Sequence, residues 1–411
     1  MIDPDILGYD FPAYLKTIAE FTENELVPAE NEMVEAGEVP ARLLQRMASL
    51  GLFGISIPRA YGGLEWTMEQ QVQLTFEFTR ASCVYRSRFS TVIGLCSQAI
   101  LDHGTEEQRR RMLPAMAAGE LVTAFALTED QAGSDAAHLR TTAERRGDVY
   151  VLNGSKRYIT NAAWADAFIV FARTDTSDPG AGGVSALIVD AASPGLRTAL
   201  PTIMNGHAEA PVGEIYFDGV EVPAENLLGG VEGQGLTMAL RGINHARLHV
   251  AATCVGQTTR MLEDTVAHVN GRRQFGAPLA ELGAVQATLG ESFAELEAGR
   301  ALAVDSARSF DSGEIPRHRI AAAKLYNSEM ASRVADRCVQ LLGGEGIVGP
   351  HPVPRMWRDV RACASTRLVA GAPAKPGQGN DPSGGGRRHT AELVPSVTRG
   401  RRHSYRPPPG E

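Results

Sequence analysis

Ala126-Leu-Thr-Glu-Asp-Gln-Ala-Gly-Ser-Asp135 is the stretch on which the reading of this chain turns. It follows an apolar run, Leu121–Leu127, and combines turn chemistry with almost no bulk. Such a loop lets backbone N–H groups approach a planar or phosphorylated ligand, and Thr128 and Ser134 add hydroxyl donors. Alone it is a polar turn. Two further segments give it weight. Asn153-Gly-Ser-Lys-Arg-Tyr-Ile-Thr-Asn161 follows the strand-like Val149–Leu152, and Gln340-Leu-Leu-Gly-Gly-Glu-Gly-Ile347 runs on to Arg355-Met-Trp-Arg-Asp359.

Working outward, the periodicity changes twice. Phe11, Leu15, Ile18 and Phe21 fall at helical spacing, as do Leu43, Leu44, Met47 and Leu50, so residues 1–120 read as an all-α domain. Val149–Leu152, Ala167–Ala172, Val184–Val189 and Gly213–Phe217 are short β-rich runs separated by Gly, Asp and Pro clusters. They predict a β-sandwich or barrel over 121–229. Helical periodicity returns near Leu236, and 230–368 reads as a four-helix-bundle-like domain. The fold class is α+β, multidomain. In residues 369–411 Gly, Pro, Ser and Arg dominate and apolar periodicity stops, so this tail is expected to be disordered.

Length and composition bound the function. A chain of 411 residues, 43% hydrophobic, can bury a large core. The formal net charge of −8 argues against nucleic-acid or anionic-membrane binding. No apolar run is long enough for a membrane span, and the acidic N-terminus lacks a signal pattern, which points to the cytoplasm. Five cysteines (Cys83, Cys96, Cys254, Cys338, Cys363) are scattered, with no pair at metal-ligand spacing, and read as small core residues. No metal site is expected.

Together the three segments resemble the acyl-CoA dehydrogenase family of flavoproteins, from about residue 10 to 361. The resemblance implies FAD as cofactor, with Phe125, Leu127, Thr128, Gly133 and Ser134 along the flavin. Tyr158, Ile159 and Thr160 lie against the isoalloxazine, Tyr158 standing where the family more often has tryptophan. Arg272 and Phe275 of Arg-Arg-Gln-Phe-Gly276 would reach the FAD of a neighbouring subunit, which implies a homotetramer. Gln340, Gly343 and Gly344 complete the adenine side. Ser134, Asn244 and Arg247 would hold the acyl-CoA substrate, and an electron-transferring flavoprotein or similar acceptor would take the electrons. His245 and His249 have no such role and read as packed helix residues.

The base is the departure. Removing an α-proton from a thioester needs a positioned carboxylate. The family keeps its glutamate either just before the arginine matching Arg247, here Ala246, or eight residues after Asp359, here Arg367. Neither is acidic, so no catalytic residue is assigned. The codons gcg-tgc-gcg-tct-acg-agg, permissible for Ala362–Arg367, spell Val-Arg-Val-Tyr-Glu from their third nucleotide, which suggests a reading-frame change after Ala362. The readings left open are an impaired dehydrogenase, a non-catalytic flavin- or CoA-binding partner in a mixed oligomer, and another flavin chemistry such as an oxidase or monooxygenase.

Overall fold

The computed structural model describes residues 2–200, 204–313 and 317–365. The expected tail, 369–411, and Arg367 lie outside the described residues.

The chain opens with helices α1 (Pro4–Leu7), α2 (Phe11–Phe21), α3 (Glu30–Ala36), α4 (Ala41–Ser49), α5 (Met68–Phe78), α6 (Cys83–Thr91), α7 (Ser97–His103) and α8 (Glu106–Ala117). Their buried faces follow the helical period: Tyr14, Ile18 and Phe21 on α2, Leu43 and Met47 on α4. Starts are set locally. Thr67 and Thr105 form reciprocal capping boxes with Gln70 and Gln108, satisfying amide donors that the first helical turn leaves open.

Seven strands follow: β1 (Thr123–Ala126), β2 (Thr142–Arg146), β3 (Val149–Thr160), β4 (Ala167–Arg173), β5 (Val184–Asp190), β6 (Leu196–Ala199) and β7 (Val212–Pro223). They build one sheet in the order β1-β4-β2-β3-β7-β6, with β5 also on β4. Pairings are antiparallel except those of β4 with β1 and β2, which are parallel. A parallel neighbour requires a long crossover rather than a tight hairpin. Residues 127–166 are that crossover, so the polar loop that begins it has room to project beyond the end of β1. The run Ala-Phe-Ile-Val-Phe-Ala makes β4 buried along its whole length, because its two faces meet different cores. Phe168 and Val170 pack inside the curled sheet, whereas Ile169 and Phe171 pack toward the N-terminal helices.

The last helices are α9 (Gly235–Gly271), α10 (Gly283–Asp311), α11 (Arg317–Leu342) and α12 (Pro352–Ser365), with a small hairpin of β8 (Arg273–Gln274) and β9 (Ala277–Pro278) after α9. They pack on one another and α5 joins them, sharing the core of Val72, Phe76, Val255 and Val334. Gly256 permits the close crossing of α5 and α9: a Cβ there would sit 2.2 Å from Thr79 Oγ1. Beside it, Gln257 Nε2 donates to Thr79 O at 2.6 Å and Ala81 O at 2.7 Å, satisfying carbonyls at the end of α5. Among the described residues no helix is long and apolar enough to cross a membrane.

Candidate active site

A cleft of about 470 Å³ opens where the loop after β1 faces α6, α9 and α12. Phe125, Leu127, Thr128, Gly133, Ser134, Tyr158, Ile159 and Thr160 line one side of it. The eight flavin-side residues read from the first two segments therefore meet in one place. The opposite walls come from Arg86, Ser87 and Ser90 on α6, from Ile243, Val250 and Thr253 on α9, and from Cys363 on α12 with His207 beside it.

Two devices shape the flavin-side wall. The first is a buried ion pair. Glu129 Oε1 accepts from Lys156 Nζ at 2.7 Å and from the Thr141 amide at 3.0 Å, while Oε2 accepts from the Arg140 amide at 2.6 Å. Lys156 also donates to Leu127 O at 3.1 Å. Burial would raise the Glu129 carboxyl, but Lys156 and the amide donors outweigh it and hold the group below its usual range. Burial pushes Lys156 down to about 8, against the pull of Glu129, which leaves it protonated at neutral pH. The second device is a bulge. The register of β3 against β7 slips between Lys156 and Ile159, and Tyr158 takes a left-handed φ of 58°. A bulge re-aims side chains: Ile159 turns inward and Tyr158 stays 63% exposed at the rim. Asn161, also left-handed, ties the strand to α6 through Nδ2 bonds to Ser87 O, Arg88 O and Thr91 Oγ1.

Asn244 and Arg247 sit on α9 beside Ile243, yet neither is among the residues that line the cleft. Both are buried, and Arg247 Nη1 donates to Asn244 Oδ1 at 3.0 Å. Burial lowers the Arg247 guanidinium from its usual value. Ala246 is fully buried in the same helix. His249 Nε2 lies 3.1 Å from Gln71 Oε1 and its ring packs on His245, so both histidines are packed core groups. Arg272 and Phe275 are not part of this cleft; they sit on the β8–β9 hairpin, with Phe275 94% exposed. Gln340, Gly343 and Gly344 are exposed at the end of α11 and also stand apart from it.

Sequence reading missed Glu129 and Lys156 as a pair, although each stood in a quoted segment. It also missed Arg86 and Ser87 on α6, and His207. The run Arg86-Ser-Arg-Phe-Ser-Thr91 offered a hint, since the charged and hydroxyl side chains of Arg86, Arg88, Ser90 and Thr91 are buried in α6. His207, in a loop with no periodicity, offered none.

On the side of the strand-end loop the cleft presents three hydroxyls, of Thr128, Ser134 and Thr160, beside the apolar side chains of Leu127 and Ile159. The donor set suits an isoalloxazine: hydroxyls at Thr128, Ser134 and Thr160 for its polar edge, and Leu127, Ile159 and Tyr158 for its rings. The chain matches the family models "Acyl-CoA dehydrogenase, N-terminal domain" over residues 12–120, "Acyl-CoA dehydrogenase, middle domain" over 124–220 and "Acyl-CoA dehydrogenase, C-terminal domain" over 233–367. It is 35% identical over 346 residues to an acyl-CoA dehydrogenase of Bacillus subtilis, covering 84% of this chain and 91% of that one. It is similar to the solved glutaryl-coenzyme A dehydrogenase–glutaryl-CoA complex (32% identity, TM-score 0.84, covering 88% and 92%). A glutaryl-CoA dehydrogenase from Mycobacterium smegmatis in complex with FADH2 aligns at 28% identity and TM-score 0.82, covering 90% and 93%. The chain belongs to the acyl-CoA dehydrogenase family, flavin-dependent oxidoreductases that act on acyl-CoA thioesters.

Proposed function

We propose that the chain binds FAD in this cleft and desaturates an acyl-CoA whose acyl group ends in a carboxylate. The observation that carries the acyl preference is Arg86, 6% exposed yet lining the cleft beside Ser87 and Ser90. The Arg86 guanidinium offers an acidic acyl terminus a fork of donors at the cleft wall, and among the described residues no Asp or Glu lines the cleft to repel it.

When bound, the flavin supplies the acceptor for a β-hydride. Thr128, Ser134 and Thr160 would hold its polar edge, with Tyr158 at the rim. Ile243 and Val250 would line the side taken by the thioester, with the Asn244–Arg247 pair behind them on the same helix. Large exposed apolar side chains at Phe275, Phe293, Ile347 and Val348 support assembly through the C-terminal helices. In a homotetramer Arg272 would offer its fork-shaped guanidinium to a neighbour's diphosphate, with Gln340, Gly343 and Gly344 nearby. The reduced cofactor would pass its electrons to an electron-transferring flavoprotein in the cytoplasm. With alanine at position 246 and arginine at 367, proton abstraction is impaired.

The test is to purify the protein, identify its flavin and titrate it anaerobically with glutaryl-CoA and hexanoyl-CoA. FAD, with slow bleaching that is faster for glutaryl-CoA, supports the proposal. A protein that takes up no flavin overturns it.

A further inference from the structure

Two cysteines far apart in the sequence, Cys83 and Cys363, meet around one imidazole, and a third, Cys254, touches Cys363. His207 Nε2 lies 3.4 Å from Cys83 Sγ, and Nδ1 lies 3.2 Å from Ser87 Oγ, both partners on α6. The His207 backbone is left-handed, with φ 52°, and its N–H donates to Asp359 Oδ1 on α12 at 2.7 Å. A strained conformation of this kind persists only where its surroundings enforce it. Cys363, one turn beyond Asp359, interacts with the same imidazole and with Cys254 of α9. Lys324 Nζ, donating to Ala364 O at 3.0 Å, adds positive charge alongside. Cys83, His207 and Cys363 all line the cleft.

We infer that Cys363 is a nucleophile that captures α,β-unsaturated acyl thioesters in this cleft, with His207 as the proton donor. Desaturation generates that class of electrophile here, so the inference rests on the cleft being the acyl-CoA site. In the capture step the Cys363 sulfur forms a bond to the β-carbon. The π pair of the alkene moves onto the α-carbon and thioester carbonyl, and the α-carbon then takes the proton from His207. Nothing is oxidised, and no group leaves. The product is a β-thioether of the intact acyl-CoA.

The electrostatics suit this division of labour. The hydrogen bond from Cys254 pulls the Cys363 thiol down to about 5; burial opposes the shift, and His207 and Lys324 assist it. The thiolate is the attacking form. Burial opposes charging of His207, but the sulfurs of Cys83 and Cys363 and the Asp359 carboxylate overcome it and hold the imidazole well above its ordinary value. Burial lifts Cys83 to about 11, so it remains a thiol.

Holoprotein incubated with crotonyl-CoA at neutral pH should gain the mass of one crotonyl-CoA by intact-mass spectrometry, with peptide mapping placing it on Cys363. Butyryl-CoA, which has no alkene, should add nothing. Cys363→Ser should lose the adduct, Cys83→Ser should keep it, and His207→Gln should slow its formation by a factor of about 100. Mapping on the unmodified chain gives the answer even if a variant folds poorly. A calorimetric titration separates the two ideas. Crotonyl-CoA that binds without forming an adduct, or an adduct mapped to another residue, overturns the inference alone. Absence of binding overturns the acyl-CoA assignment with it.

Discussion

Lys156 Nζ lies 2.7 Å from Glu129 Oε1, with the two side chains 0% and 3% exposed, and this pair fastens the flavin-side loop to β3. Buried ion pairs add little net stability, because desolvation cancels much of the attraction. Breaking one is another matter. Lys156→Met leaves the buried Glu129 carboxylate without its cation and should cost about 3–5 kcal/mol, read as a lower urea midpoint. Adding Glu129→Gln should recover part of that loss. Flavin retention through gel filtration should follow the same order, since Thr128 and Gly133 ride on the loop. Equal stability of the single and double variants would show that the pair does not hold the loop.

Arg86 gives a specificity prediction. Arg86→Leu should lower kcat/KM for glutaryl-CoA by about 10- to 100-fold, the worth of one charge-assisted contact, and leave hexanoyl-CoA nearly unchanged. A parallel fall with both substrates would make Arg86 a structural residue of α6.

The β8–β9 hairpin should matter to assembly and cofactor rather than to the folding of one subunit. Phe275→Ala removes a side chain that is 94% exposed, so circular dichroism should not change. Light scattering should show a smaller assembly or, if the assembly persists, Arg272→Ala should weaken FAD retention. Full retention of tetramer and flavin in both variants would contradict the proposed roles.

How far these features could be read beforehand depends on how local their causes are. The helical domains were legible because Ile18 and Phe21, or Leu43 and Met47, fall at the period that a buried helix face needs, although Tyr14 rather than Phe11 or Leu15 completes the buried face of α2. Strand β4 was legible as an apolar run, and the eight residues that line one side of the cleft stood in or beside compact motifs. The parallel pairing of β1 with β4 was not legible, because Thr123 is paired with Ala167, far along the chain. Only Val149–Leu152 read as a strand, yet β3 continues to Thr160 through two irregularities in register. Its glycine and polar residues weaken strand propensity, and pairing with β7 overrides that preference. The gathering of Cys83, Cys254 and Cys363 was invisible for the same reason: each sits on a different helix, and only the packing of α6, α9 and α12 joins them.

The missing carboxylate leads to the last prediction. Among the described residues no Asp or Glu lines the cleft, and Asp359 is engaged by the His207 amide. The homes at Ala246 and Arg367 hold neither a carboxylate nor a neutral base. Loss of a general base typically lowers a rate by a factor of about 100 to 10,000. Two repaired proteins test this: one carries the single change Arg367→Glu, and the other carries the alternative reading frame from Ala362, with its Tyr-Glu pair. The frame-restored protein should bleach its flavin with glutaryl-CoA about 100 to 10,000 times faster than the present chain. The single variant should recover less, because it keeps the residues that flank position 367 in the present sequence. KM should change little in either, since the base acts on the proton and not on thioester binding. Rapid bleaching by the unrepaired protein would mean that another group takes the proton. Cys363 and His207, which line the cleft, would then be the groups to replace next, with the α-deuterium washout of dideuterated butyryl-CoA as the readout.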